Sequence, residues 1–292
     1  MITILRDTAR EIFKTLKILS RNKMGLFGFV MILVIVFLSF IGPLIWPPEL
    51  SANVADINQG PSQKHWLGTD FQGQDNLLKI VNGGKDIVTV AFLTGIVATF
   101  IAICVGSFSA FVGGRFDSVM MEIVNVWLTI PRFPLLAVLA TVVKLNDNVT
   151  FALLLGLLDW PGLSRQVRSQ VLSLKKRDYV EAATMLNLGA PNIIFREILP
   201  NMFSFIAIAM IFTMTHAIYQ QTGLVFLGIV PYSGTNWGVM ISAAERRAAL
   251  FAPQAAASIL APIGAIVLFQ LALVSFARSL DEVFNPRLRT SV

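Results

Sequence analysis

Arg132, in the run IPRFP, and His216, Gln220 and Gln221 all fall inside stretches that are otherwise apolar. A guanidinium, an imidazole and two amides offer charge pairing and hydrogen bonding to a polar ligand or to a neighbouring helix. An arginine near the middle of a membrane span costs about 2.5–3.5 kcal/mol on insertion scales. Arg132 is therefore expected to face a cavity or a partner, or to snorkel or pair with a nearby acid such as Glu122. Positions 216 and 220 share one helical face, and interhelical hydrogen bonds are the plainer use of His216, Gln220 and Gln221. One cysteine, Cys104, excludes an internal disulfide, and the two histidines, His65 and His216, are far apart in sequence. No His, Cys or carboxylate cluster suits a first-row metal ion, so no metal site is expected. The run NGGKD has the wrong spacing for a phosphate-binding loop, so ATP is not expected to bind this chain.

The elements that must position these residues are written in the composition. Of 292 residues, 55% are hydrophobic and 14% charged; a soluble domain carries about a quarter charged residues. The apolar residues come in long blocks at about 24–46, 86–112, 118–143, 149–164, 201–227 and 256–277. Blocks of roughly 20 residues cross a bilayer as helices, which predicts an all-α, polytopic membrane protein with six spans. The fourth block is short and interrupted by DWPGLSR, so its lower end is expected to continue as a polar helix. Pro131 and Pro134 predict a kink in the third.

Lysine and arginine placement sets the orientation. Residues 1–23 carry Arg6, Arg10, Lys14, Lys17, Arg21 and Lys23 among apolar residues at helical spacing, the pattern of an amphipathic helix on the cytoplasmic membrane surface. The loop 47–85 has Lys64, Lys79 and Lys85 against Glu49, Asp56, Asp70 and Asp75 and is assigned outside. The segment 165–200 and the tail 282–292 are basic and assigned inside, with both termini cytoplasmic; only Arg246 and Arg247 run against this pattern. The net charge of +6 is thus spent on topology, and no nucleic-acid partner is expected. The transmembrane core occupies 86–281.

Between the fourth and fifth spans lies DYVEAATMLNLGAPNIIFREILPN, residues 178–201. Asp178 and Glu181 have the spacing of a capping box. Ala182, Ala183 and Ala190 are small enough for a helix to lie close against another surface. Asn187 and Gly189 can adopt the left-handed conformation that ends a helix, Pro191 cannot continue one, and Pro200 suits the first turn of the next. A short rigid helix, a turn and a second short helix presented to the cytoplasm form a docking element.

These residues resemble the EAA loop of ABC-importer permeases: Glu181-Ala182-Ala183, then Leu199-Pro200. The family's glycine six positions after the glutamate is Asn187 here, with Gly189 two further on. HWLGTDFQGQD, His65 to Asp75, is similar to the HWLGTDxxGRD element of dipeptide/oligopeptide/nickel permeases, with Gln74 in place of the arginine. LVFLGIVPYSGTNWGVMI matches that family's element after the fifth span at Gly228, Trp237 and Gly238; GGRFD and FNPRLR fit as well. The likeness runs from about residue 24 to the end.

The resemblance implies a type I ABC-importer-like permease subunit, non-catalytic, in a prokaryotic cytoplasmic membrane. It would pair with a second homologous permease, two ATPase subunits that bind ATP and Mg, and an extracytoplasmic substrate-binding protein. Glu181, Ala182, Ala183, Asn187, Gly189, Leu199 and Pro200 would couple to the ATPases. His65, Trp66, Gly68, Asp70, Trp237 and Gly238 would lie on the binding-protein side, and Arg132, His216, Gln220 and Gln221 along the substrate path. The cargo would be an oligopeptide or an oligosaccharide. The alternative is an ion- or proton-coupled secondary transporter or channel subunit without ATP coupling; its buried carboxylate would have to be Glu122.

Overall fold

A computed structural model describes residues 22–48, 51–143, 145, 147–232 and 234–284, with residues 281–284 as helix path only. The amphipathic helix expected over 1–23 and the tail at 282–292 therefore lie outside the described residues, apart from their inner edges. The described chain is helical, with one isolated bridge between Thr69 and Asp75 and no strand among the described residues.

Nine helices carry the architecture: α1 Lys23–Phe40, α2 Asn76–Val112, α3 Gly114–Thr129, α4 Arg132–Val142, α5 Asn148–Leu174, α6 Asp178–Met185, α7 Phe203–Phe226, α8 Trp237–Glu245 and α9 Ala256–Phe284. Four stretches are long and apolar enough to cross a membrane: Lys23–Phe40, Asn76–Val112, Ala190–Phe226 and Ala256–Leu280. Helices α3 and α4 pass the same test only as a pair, bent by 84°, the geometry of a broken span or a re-entrant loop. The break falls where Pro131, extended at ψ 111°, becomes the cap of α4 and removes a backbone donor. Helix α5 has 27 residues, about 40 Å at 1.5 Å per residue. Asp159, Ser164 and Arg165 dilute its apolar character, and the expected polar continuation runs to Leu174. Helix α2 starts at Asn76 rather than near 86, because Asp75 caps it by accepting from Leu77 N and Leu78 N.

Small residues set the packing. Helices α2 and α5 run parallel: Asn148 Nδ2 donates to Asp86 at 3.0 Å, Thr94 Oγ1 to the Ala152 carbonyl at 3.3 Å, and Gly156 lies on Val97 and Ala98. Gly106 completes the seam against the backbone of Ser164, so the axes meet without an intervening side chain. Helix α7 runs antiparallel to α2, with Gly95 against Met210 and Met214 and Gly83 against Thr235. Helix α1 is antiparallel to both α2 and α9, through Gly42 on Val81 and Gly28 on Ala272 and Phe276. Helix α3 is antiparallel to α5: Trp127 Nε1 donates to the Leu158 carbonyl at 3.3 Å and Arg165 to Asn125 at 2.6 Å. Successive long elements thus alternate in direction.

Three apolar clusters fill the spaces between them. Ile87, Met214, Trp237 and Phe269 join α2, α7, α8 and α9. Val90, Leu136, Phe151 and Leu224 join α2, α4, α5 and α7. Val167, Val180, Ile193 and Ile198 hold α6 and the turns after it against α5.

Candidate functional site

The break between α3 and α4, the middle of α5 and the last third of α7 converge on one polar cluster. Asp159 of α5 has a side chain only 5% exposed. Gln220 Nε2 of α7 donates to both its oxygens, at 3.0 and 2.9 Å. Arg132, the first residue of α4, brings Nη1 to 3.5 Å of the same carboxylate while its side chain stays 40% exposed. Two candidates from the sequence, Arg132 and Gln220, are thus brought together by a third residue. The acid that meets Arg132 is Asp159, not Glu122, which is exposed on α3. Pro131 is extended ahead of α4, and Arg132, the first residue after it, lies within reach of Asp159 on α5. His216 is exposed one turn before Gln220. Gln221 points the other way and is fully buried in the bundle.

Asp159 was the residue hidden in the sequence: it looked like an interruption of an apolar block. An acid immediately before Trp160 and Pro161, deep in that block, is itself the signal, since intramembrane carboxylates need a partner.

The segment 178–201 forms a compact element at the end of α5 where Lys175 Nζ donates to the Phe111 carbonyl at 2.6 Å and caps α2. The expected capping box is absent. Helix α6 begins at Asp178 with Arg177 in the cap position and no side-chain cap, because the turn after Leu174 places Arg177 one residue early. Val180 and Ala183 are buried, whereas Glu181 and Ala182 are exposed. Asn187, at φ 53°, has the positive φ expected at the end of α6, whereas Gly189, at φ 76° and ψ 146°, is extended and caps the next short helix. Pro191 then sits in the first turn of the next short helix, and a π turn over Ile193–Ile198 leads into Leu199 and Pro200 at the start of a tight turn before α7. Beyond that scaffold Met185 is 85% exposed, with Leu186, Leu188 and Phe195 exposed around it.

At the opposite end the loop before α2 folds on its own polar groups. Asp70 accepts from Lys79 Nζ at 2.6 Å and from the backbone of Gln72 and Gln74. His65 Nδ1 lies 2.8 Å from Asp75, and Asp56 binds Lys64 at 2.8 Å. The Lys64 hydrogen bond, with the nearby His65, holds the Asp56 carboxyl below its ordinary value of 3.8. Gly68 and Gly73 have positive φ, and a Cβ on Gly73 would strike the Asn53 backbone. Trp237 is buried with Nε1 donating to the Ile80 carbonyl at 2.9 Å, and Gly238 packs beneath Val225. Of the six residues expected on this side, Trp66 alone is strongly exposed, at 71%. Nearby, the Arg247 guanidinium stacks 3.4 Å from the Phe71 ring centre, which ties the loop to the end of α8.

Sequence reasoning also missed the clamp between Asp117 and Arg168. The Arg168 guanidinium grips Asp117 through two nitrogens, Nε at 2.6 Å, and Ser109 adds a third donor. It fastens α2, α3 and α5 at one end. A separate cavity of about 660 Å³ between α1, α2 and α9 is lined by apolar side chains such as Val34, Leu77 and Leu268 and contains none of the Arg132 cluster.

Long apolar helices that alternate in direction around a charged cluster define a polytopic membrane protein. Residues 102–290 match the family described as binding-protein-dependent transport system inner membrane component, and the chain belongs to that family. Residues 14–61 also match the N-terminal TM domain of oligopeptide transport permease C. A protein of Brucella suis biovar 1 named as a peptide permease is 33% identical over 271 residues, 91% of this chain and 88% of its own length. The oligopeptide transport system permease protein OppC of Bacillus subtilis is 30% identical over 223 residues, 76% and 73% of the two chains. OppC of Mycobacterium tuberculosis is 33% identical over 197 residues, 65% and 68%. The chain is accordingly a non-catalytic permease subunit of an ABC transporter and a multi-pass protein of the bacterial inner membrane.

Proposed function

We propose that this chain is one of two permease subunits in an ATP-driven importer of oligopeptides, working by alternating access. Its relatives are named as peptide and oligopeptide permeases, which favours a peptide over an oligosaccharide as cargo. The partners are a second permease, two ATPases that hold ATP and Mg, and an external binding protein. Six spans with both termini cytoplasmic account for the alternating directions of α1, α2, α3–α4, α5, α7 and α9.

The observation that carries the reading is the α6 element. Its inner face, Val180 and Ala183, is anchored on Ile193 and Ile198, and its outer face presents Met185 and Leu186. A rigid helix with an apolar exposed tip suits a groove on an ATPase. The buried anchor passes a push on α6 to α5 and, through Leu199 and Pro200, to α7. ATP drives transport in such a machine only if closed and open ATPase states favour different permease conformations. Glu181, Ala182, Asn187 and Gly189 belong to that contact and its turn; Arg132, His216 and Gln220 belong to the substrate path.

Purification of the tagged chain from its native membranes in mild detergent tests this. A second permease and ATPases with phosphate-binding loops should co-purify, and Met185→Asp should lose the ATPases while keeping the permease. Recovery of the chain without any ATPase in several detergents would instead support a carrier without ATP coupling, centred on Arg132 and Asp159.

A further inference from the structure

The two members of the intramembrane pair are not held alike. Asp159 is buried and fixed, both oxygens engaged by Gln220. Arg132 carries five N–H donors, and among the described residues its only charged contact is Asp159 at 3.5 Å. That separation exceeds the roughly 2.7–2.9 Å of a charge-assisted hydrogen bond, so the contact is Coulombic and leaves the guanidinium fork free. Besides Asp159, α5 offers it Gly162, where even an added Cβ would stand 3.5 Å from the guanidinium, so that side is uncrowded. Arg132 also reaches out from the 84° break, with Pro131 rather than a helical turn before it.

We infer that Arg132 receives the terminal carboxylate of the transported peptide, and that Asp159 is its standing counter-ion when the path is empty. This deepens the importer reading and rests on it. An unpaired guanidinium at this depth is costly, so the empty state needs an internal anion. A ligand carboxylate can take the outward fork in bidentate fashion while Gln220 keeps Asp159 satisfied, so no buried acid is stranded by its arrival. The ligand carboxylate adds to the free fork while Asp159 keeps its longer contact, and the negative charge of Asp159 tempers the hold on the ligand. The ligand is therefore registered without being trapped, as transport requires.

The test uses the complete transporter, with partner permease, ATPases and binding protein, in proteoliposomes supplied with ATP. The probes are one labelled peptide with a free C-terminal carboxylate and the same peptide as its C-terminal amide. Because one binding protein delivers both, a change in their import ratio between variants arises in the membrane. Arg132→Gln should shift the ratio against the free acid by about tenfold or more, the worth of one charge-assisted contact. Arg132→Lys should recover part of it. Asp159→Asn removes the competing anion and should lower KM for the free acid alone. An equal loss of both peptides in Arg132→Gln, or a KM in Asp159→Asn unchanged or altered alike for both, would overturn the assignment. If Arg132→Gln does not assemble, the KM result with Asp159→Asn decides. Failure of the wild-type transporter to import either peptide would count against the importer reading itself.

Discussion

Lys79 Nζ lies 2.6 Å from Asp70 Oδ2, and both side chains are buried at the mouth of α2. Asp70 thereby fastens the loop that precedes α2 to the first turns of that helix. Removing one member of a buried pair leaves the other unpaired, at a cost of about 3–5 kcal/mol. Asp70→Ala should lower the thermal midpoint of the detergent-purified protein and expose residues 51–75 to protease. The double variant Asp70→Asn/Lys79→Met should recover much of the loss, since neither charge is then stranded.

How much of this was legible beforehand depends on which interactions are local. The apolar blocks placed the starts of α1, α7 and α9 closely, because lipid contact depends on composition over about twenty positions, but α1 stops at Phe40 rather than 46 and α9 runs past 277 to Phe284. The positive φ of Asn187 and Gly189 was legible because backbone sterics act on single residues. The start of α2 was not: Lys79, Lys85 and Asp86 interrupt the apolar pattern, and only the Asp75 cap and the Asp70–Lys79 pair extend the helix outward. The cap of α6 depended on a turn at Lys175–Arg177 that no spacing encodes. Asp159 was missed because its partners lie on α4 and α7, far away in sequence.

Trp66 and Trp237 belong to motifs of equal prominence but have opposite surroundings. Trp237→Phe removes the donor to the Ile80 carbonyl in a buried site and should cost about 1–3 kcal/mol in denaturation measurements. Trp66→Ala removes an exposed side chain and should leave the unfolding curve within about 0.5 kcal/mol. If Trp66 meets the external binding protein, that same variant should still lower binding-protein-stimulated ATPase activity of the assembled transporter.

Gly106 sits where the α2 and α5 backbones touch, so a methyl group there would overlap the Ser164 carbonyl and the Val167 side chain. Gly106→Ala should separate the helices and cost about 1–3 kcal/mol, as overpacking does. Gly264 on α9 has no neighbour within 4 Å of a built Cβ and provides the control. Gly264→Ala should show no loss in the same thermal assay; equal losses would mean the seam is looser than these contacts imply.

The loop 51–75 should loosen in acid. Asp56 is held below 3.8 by the Lys64 hydrogen bond and by His65, so its carboxylate stabilises the folded loop. For a lowered carboxyl that contribution is complete above the unfolded value and disappears as pH falls through the folded one. Protection factors over residues 51–75, with the intrinsic pH dependence of amide exchange divided out, should thus be steady between about pH 5 and 7 and fall below about pH 4. Asp56→Asn should remove the pH step and show the lower protection throughout.

Asn187 offers the sharpest separation of turn geometry from surface chemistry in the α6 element. At φ 53° it occupies a conformation that glycine takes freely and asparagine tolerates, and its N–H closes the helix end on the Thr184 carbonyl at 3.0 Å. Asn187→Gly keeps that turn, and ATPase co-purification and peptide-stimulated hydrolysis should both stay near wild type. Asn187→Val must hold a β-branched residue at positive φ, a strain of about 1–2 kcal/mol or more. The turn would then relax, and with it the angle at which Met185 and Leu186 are presented. Hydrolysis should become uncoupled from import in that variant while the second permease remains bound. Indifference to valine would mean that the exposed face of α6, and not its fixed angle, is what the ATPase reads.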